Sequence, residues 1–508
     1  MTRSFSIIKP AYLKQRVNEL LHLSQLWNLS ICVSLLCLLN ACAVGPKYQR
    51  PTVNSPTEYR FATNTTSTNL TTSTNSLADL PWWGVFKDSV LQDLVYEALT
   101  NNYDLRTILS RMDQARALQA QSQSQFLPNV AYGGEASRGR NMFLNMPNLN
   151  GGHTLSGFAG GFEAVWEVDL WGRVRRMNEA TRANFMATQE GRRTVMISVV
   201  SGVARAYFEL LELDEELAIA KHTVESYRQT YKLFNDQHTD GLTSRLELDR
   251  AQAALSSVSA SIPDIERQIS LKENEINILL GRNPVPISRK STLAQQEIPV
   301  DIPVGLPSSL LERRPDIRMA EQEVRVANAK IGVAIGDFFP RIGLTAFYGG
   351  ASTELNQLTS TSANAWSLAA STAGPVFTGG RLVGQYRQAK AACEEAKLKY
   401  QETALKAFCE VSDSLITRTK LEETYTHQAE AVRACRDAVD IAMERYKAGK
   451  ASYYEVLEAQ QQLYPAEKTL SSIESSRHLV IIQLYKALGG GWSLKDSEWI
   501  KAAGQTPK

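Results

Sequence analysis

Beyond its first 41 residues, the 508-residue sequence shows no apolar run that reads as a membrane-crossing helix. That absence excludes a polytopic helical transporter. Charge of one sign is also missing: 55 Lys and Arg stand against 53 Asp and Glu, with a mean hydropathy of −0.25. A nucleic-acid surface would need a basic excess that is not there. The six histidines have no ligand spacing, and Gly489-Gly490-Gly491 follows a helical pattern as a cap, not as a phosphate cradle. No nucleophile has a plausible base, so no enzyme chemistry and no metal is expected. Cysteine is scarce too. Past residue 42 only Cys393, Cys409 and Cys435 remain. On one straight helix those positions are about 24 and 39 Å apart, beyond disulfide reach, and they read as packed thiols.

The sequence contains itself twice. Gly172-Arg173 returns as Gly380-Arg381, Gly241 as Gly449, Ser244 as Ser452, Glu247 as Glu455 and Leu280-Gly281 as Leu488-Gly489, all 208 residues apart. Between Gly172 and His238 there is no proline, so a single helix of about 100 Å is expected. Its apolar positions, Met196, Val200, Val203, Tyr207, Leu210, Leu213, Leu217, Ala220, Val224 and Tyr227, recur with the coiled-coil period. In the second copy Arg418 and Gln428 replace Leu210 and Ala220, giving a wetter seam. A short turn and a returning helix follow in each copy, and a 22 to 24 residue helix opens each. The lengths suggest two shorter helices stacked end to end beside one long one, with kinks at Pro263 and Pro465.

Residues 1–41 carry Arg3, Lys9, Lys14 and Arg16 ahead of a short apolar core at 26–39, the pattern of an export signal. Leu39-Asn40-Ala41-Cys42 resembles a bacterial lipobox, which makes Cys42 the lipid-bearing first residue after cleavage. The remaining chain carries 51 basic against 52 acidic residues. The division expected is a signal at 1–41, a lipid anchor and Ser/Thr/Asn-rich tether at 42–80, a first repeat at 81–283, a proline-rich joint at 284–306, a second repeat at 307–491 and a tail at 492–508.

Each copy has about 40 non-helical residues between the proline ending its first helix (Pro128, Pro340) and the Gly-Arg opening its long one. These alternate. Phe162, Ala164, Trp166, Val168 and Leu170 share one face, and Glu163, Val165, Glu167 and Asp169 the other. Ile342, Leu344, Ala346 and Tyr348 share a face of a later segment, as do Trp366, Leu368 and Ala370 of another. Apolar-out, acidic-in alternation suits a membrane strand with Glu163, Glu167 and Asp169 lining a lumen. Four strands cannot close, so two, three or four chains would have to share a barrel of 8, 12 or 16 strands.

Four segments carry a family resemblance: residues 42–51 (Cys-Ala-Val-Gly-Pro-Lys-Tyr-Gln-Arg-Pro), Trp82-Trp83 through Asn102-Tyr103-Asp104-Leu105, residues 310–317 (Leu-Leu-Glu-Arg-Arg-Pro-Asp-Ile), and Gly379-Gly380-Arg381-Leu382. Across them the chain resembles TolC-like outer-membrane efflux channels, in the lipidated branch that serves resistance-nodulation-division pumps. The resemblance implies a mainly α fold with a small membrane β-barrel. Its duplicated unit of long coiled-coil helices plus a β-hairpin would assemble as a homotrimer, with a 12-stranded β-barrel and a 12-helix α-barrel. It implies a periplasmic adaptor and an inner-membrane transporter as partners, and a passive exit duct as the function, anchored in outer-membrane lipid. No cofactor beyond the lipid on Cys42 is expected. An adaptor lipoprotein is the alternative, but it would carry one helical hairpin, not two. A poreless coiled coil would have no use for the alternating segments.

The family's gate motif puts two acids three apart after the second helix turn, and Glu455 and Glu458 fall there. Glu247 matches Glu455 in the first copy, whereas Arg250 stands in place of the second acid and Ala451 at the usual basic latch. Arg250 or Arg245 is expected to pair with an acid of the neighbouring turn.

Overall fold

The computed structural model describes residues 43–61, 76–85, 87–140, 154–298 and 305–491. The signal, Cys42, residues 62–75 of the tether and the tail at 492–508 lie outside the described residues. The chain divides into two compact units, one of residues 1–50, 115–185 and 322–397, the other of the remaining segments.

The elements follow the repeat. The first copy comprises α1 (Ser89–Asn101), α2 (Tyr103–Ser124), β1 (Asn129–Arg140), β2 (Thr154–Val168), α3 (Arg173–Thr239) and α4 (Arg245–Leu280). The second comprises α5 (Pro315–Gly336), β3 (Arg341–Ser352), β4 (Asn364–Ala373), α6 (Arg381–Lys447) and α7 (Tyr453–Ala487). The expected 100 Å helix appears twice, as α3 and α6, each of 67 residues. All three cysteines beyond residue 42 are on α6 and unbridged, with Cys393 buried. α4 and α7 run on through Pro263 and Pro465, so each proline lies inside its helix. Each proline removes one N–H from a ladder of some thirty, a loss that the packed helix absorbs.

In the first unit the four strands form one antiparallel sheet ordered β1-β2-β3-β4. The two hairpins are register copies: Asn129 lies opposite Val165 in one and Arg341 opposite Ala373 in the other. β2 and β3 join the copies, and their crossing requires glycine. A Cβ on Gly349 would sit 2.2 Å from the Gly160 carbonyl oxygen, and one on Gly161 2.5 Å from that of Tyr348.

Residues just after Cys42 are also in this unit, and they are not slack tether. Val44 N–H donates to the Trp171 carbonyl at 3.0 Å, and Arg176 Nε and Nη2 donate to the carbonyls of Val44 and Gly45 at 3.1 and 3.2 Å. Asn328 Nδ2 holds the Pro46 carbonyl at 3.1 Å, and the Arg325 guanidinium lies 4.7 Å from the Tyr48 ring centre. Side chains of α3 and α5 therefore satisfy three successive carbonyls of the strap.

The second unit is a helical core around Trp82, Tyr207, Leu210, Ile276, Tyr400 and Tyr485, all fully buried. An 18-residue stretch of α3 is apolar enough to cross a membrane by composition, with mean hydropathy 1.4, but 67% of it is buried inside the protein. Its apolarity serves the core.

End-to-end stacking of the shorter helices is built by one residue per copy. Asn102 caps α2 by accepting from the N–H groups of Asp104 and Leu105, while its own amide donates to the Leu279 carbonyl at the end of α4, at 2.8 Å. In the second copy Arg314 donates to the Ala487 carbonyl at the end of α7 (2.9 Å), to both Asp316 oxygens in the first turn of α5 and to Glu410. The joint after α4 is pinned too: Arg289 reaches Asp214 and Glu273, and Ser291 and Gln296 both donate to Asp88, the N-cap of α1. Although burial pushes the Asp88 carboxyl up, those bonds and the N–H groups of Leu91 and Val90 together bring it below its ordinary value.

Candidate functional site: the sheet face and the helix-turn tips

Strand pairing brings every apolar set foreseen in the sequence to one face. Tyr132, Phe162, Tyr348 and Trp366 stand directly opposite one another across all four strands, and each is exposed. Beside that row run Val130, Ala164, Ala346 and Leu368, then Trp166, Leu344 and Ala370. No water-soluble sheet gains by exposing such a face, whereas an aromatic row above small apolar residues suits a lipid boundary. The other face is mixed: Glu163 shares its row with Ala131, Phe347 and Ser367, and Glu167 with Gly343 and Ser371.

Of the three acids expected on a lumen wall, only Glu163 is a plain exposed strand residue. Glu167, near the strand end, is held by both Nε and Nη2 of Arg173 at 3.0 and 2.9 Å. Asp169 corrects the expectation, because β2 ends at Val168. The Asp169 carboxylate accepts from the backbone N–H groups of Val174 and Arg175 at 3.0 and 2.9 Å and from Arg175 Nε, so it caps α3. Alternation counts residues but does not register where the backbone turns. Leu170 likewise falls beyond the strand.

The second region lies at the turns joining the long helices to their returns. Both turns end a helix in the same way. Leu242 N–H reaches the Gln237 carbonyl and Gly241 N–H that of His238; Lys450 and Gly449 repeat this on Arg445 and Tyr446. Gly241 and Gly449 take φ of 73° and 67°, which favours glycine. Beneath them Phe234, Tyr446 and Tyr453 form an aromatic cluster, with Phe234 and Tyr453 centroids 3.9 Å apart, and Tyr446 Oη donates to Gln237 Oε1 at 2.9 Å.

Within this frame the expected gate residues separate. Glu247 turns back on its own helix start, where its Oε2 accepts from Thr243 Oγ1, Ser244 N–H and Ser244 Oγ at 2.5, 3.0 and 3.0 Å. It closes a capping box, and these bonds, that from Thr243 foremost, hold its carboxyl below the ordinary range. Glu455 is half-exposed, with Arg445 Nη2 at 3.6 Å, and Glu458 is exposed. The expected basic latch onto the neighbouring turn is not what forms. Arg245 pairs with Asp249 of its own helix at 3.0 Å, and Arg250 places its guanidinium 5.8 Å from the ring centre of Tyr454 on the other turn. Nothing in the local pattern around Arg250 points to an aromatic partner 204 residues away. The one available signal was a second tyrosine beside Tyr453 just after the turn, off the apolar set of Tyr453, Val456 and Leu457.

Comparison with known proteins now decides the family. A family profile described as "Outer membrane efflux protein" matches residues 94–282 and 306–490, one match per repeat. The chain belongs to the outer membrane efflux protein family. It is 32% identical over 483 residues to the probable outer membrane lipoprotein SilC of Salmonella typhimurium, covering 93% of this chain and 99% of that one. It is 31% identical over 463 residues to the cation efflux system protein CusC of Escherichia coli K12, covering 91% and 99%. The open-state structure of the Neisseria gonorrhoeae MtrE outer membrane channel superposes with a TM-score of 0.79 at 30% identity, over 89% of this chain and 99% of that one. The fold is thus that of an outer-membrane efflux channel subunit, mostly helical with a small sheet, and the protein is an outer-membrane efflux channel. Nothing in the comparisons favours the adaptor alternative.

Proposed function

We propose that three copies of this chain share a 12-stranded barrel in the outer membrane and a 12-helix tube beyond it. The assembly would serve as the passive exit duct of a tripartite pump completed by a periplasmic adaptor and an inner-membrane transporter of the resistance-nodulation-division class. The observation that carries this reading is the sheet itself: four strands with an exposed aromatic and aliphatic face, whose outer members β1 and β4 each lack a second neighbour in the described sheet. An open edge in hydrocarbon leaves backbone groups unpaired at several kcal/mol each, so the edges demand further copies. The strap supports lipidation of Cys42. Ala43 packs so closely on Gly172 that a Cβ there would meet its Cα at 2.7 Å, and Gly172 is four residues past the end of β2. An acyl chain on the preceding residue would emerge at the foot of the sheet.

At the tips, Glu455 and Glu458 form the ion-selective rings in this reading, the Arg250–Tyr454 contact ties the two turns together, and Glu247 serves as a cap. The purified lipidated protein in detergent should have the mass of three chains and conduct in planar bilayers. Glu455→Gln with Glu458→Gln should weaken cation preference, Arg250→Ala should raise conductance, and Glu247→Gln should leave selectivity unchanged. A monomer without conductance would refute the duct, and a conducting trimer indifferent to the paired Gln substitutions would refute the rings.

A further inference from the structure

The seam between repeats inside one chain offers a template for the seam between chains. Where β2 ends and β3 begins, the Trp171 ring stacks on Phe339 with centroids 4.7 Å apart and an interplanar angle of 22°, and its Nε1 donates to the Pro340 carbonyl at 2.8 Å. Trp171 follows the down-running strand of one repeat, and Phe339-Pro340 precedes the up-running strand of the next. An aromatic clasp thus closes the foot of the inner seam.

At the outer seam the corresponding positions are divided between the two edge strands, β1 and β4. The matching residues before β1 are Leu127-Pro128, and Leu127 is 68% exposed beside the partly exposed Phe126. Phe126 is fixed in place, because its carbonyl accepts from Trp166 Nε1 at 3.1 Å. After β4, Gly379 occupies the place of Trp171 and supplies no ring. Instead Val376 and Phe377 stand just upstream, Val376 fully exposed and Phe377 89% exposed, between Pro375 and the glycine pair 379–380.

Antiparallel closure dictates what these residues meet. β4 runs opposite to β3, and β1 of a following copy must run opposite to β4, so the end of β4 at Ala373 lies beside the start of that β1 at Asn129. Two exposed apolar pairs, one just past the end of β4 and one just before the start of β1, are thereby brought to the same foot. We propose that Val376 and Phe377 of one copy clasp Phe126 and Leu127 of the next, replacing in trans the Trp171–Phe339 stack made in cis. This rests on the shared-barrel reading above. It adds that the foot of each intermolecular seam is an apolar lock in which each copy gives one half and receives the other, a head-to-tail contact that closes into a ring.

The test is a Leu127→Cys, Phe377→Cys double variant of the full chain, with Cys393, Cys409 and Cys435 changed to alanine and Cys42 kept, oxidised in isolated outer membranes. Reducible dimer and trimer bands should appear in the double variant and in neither single variant, since the link joins unlike residues of different copies. In the native-cysteine chain, Phe377→Ala should lower the temperature at which the detergent-solubilised oligomer dissociates, and Leu127→Ala should add little once Phe377 is gone. If mass measurement finds an oligomer but no heterotypic link forms and both alanine variants dissociate like wild type, these residues face lipid and the clasp is wrong, while the barrel stands. If no oligomer exists, both fall.

Discussion

The two repeats are equal in length and unequal in closure. α3 buries Met196, Val200, Val203, Tyr207, Leu210, Ala220, Val224 and Tyr227, whereas α6 carries Arg418 and Gln428 at two of the matching places and exposes Leu398, Leu405 and Ile441. At the foot of the sheet the first repeat ends in Trp171, already stacked, and the second in Val376-Phe377, uncovered. At the tip Glu247 is spent on a capping box, while Ser452 makes no side-chain cap and Glu455 faces Arg445. One duplicated sequence has therefore diverged at these three places, the first copy using within the chain the groups that the second leaves available, although Leu127 of the first copy is also uncovered.

The largest effect should come from the seam between the repeats. Gly349→Val would drive a side chain into the Gly160 carbonyl and separate β2 from β3, so assembled outer-membrane oligomer should be lost, judged by mass in detergent. Gly133→Val, at a position where a Cβ meets nothing within 4 Å, should assemble normally. Equal assembly of the two would break the claim that the copies are joined there.

The helix splices sharpen the comparison. Arg314→Ala removes a buried guanidinium that serves Asp316, Glu410 and the Ala487 carbonyl, and should cost about 3–5 kcal/mol. Asn102→Ala loses a cap and one bridging bond and should cost about 1–2 kcal/mol. Denaturant unfolding would compare them, and equal losses would show the two splices to be equivalent despite their chemistry.

A pH-gated asymmetry, seen only in acid, sits at His478. Its imidazole lies buried, stacked on Phe208 with centroids 4.7 Å apart, and burial, with repulsion from Arg477, lowers its pKa to about 4. The folded protein therefore resists a proton that the unfolded chain accepts near the ordinary 6.5, and stability should fall as pH drops from 6.5 to about 4, by about 3 kcal/mol at the acid end. His478→Phe should flatten that slope, measured by unfolding at pH 7 and pH 4.5. The matching position in the first repeat is the exposed Ser270, which has nothing to titrate.

How much of this was legible follows from where each residue finds its partner. Helix ends were readable because Gly241, Gly449 and Gly281 mark turns through their own backbone freedom, and the strand faces because alternation is a period of two. Asp169 was misplaced because a carboxylate one residue beyond a strand looks like the next step of the alternation until the chain bends and presents two N–H groups. The Arg250–Tyr454 contact joins residues 204 apart, and the strap at 43–48 answers to Arg176 and Asn328 more than a hundred residues on.

The duplication, the two 67-residue helices, the hairpins and their exposed faces follow from the chain alone, because periodicity and the positions of proline and glycine are local properties. Which acids are caps and which stay exposed, which residues splice the shorter helices, and which ends of the sheet remain uncovered emerge only in the folded chain. Those outcomes depend on hydrogen-bond partners and packing surfaces that come together only when distant segments meet.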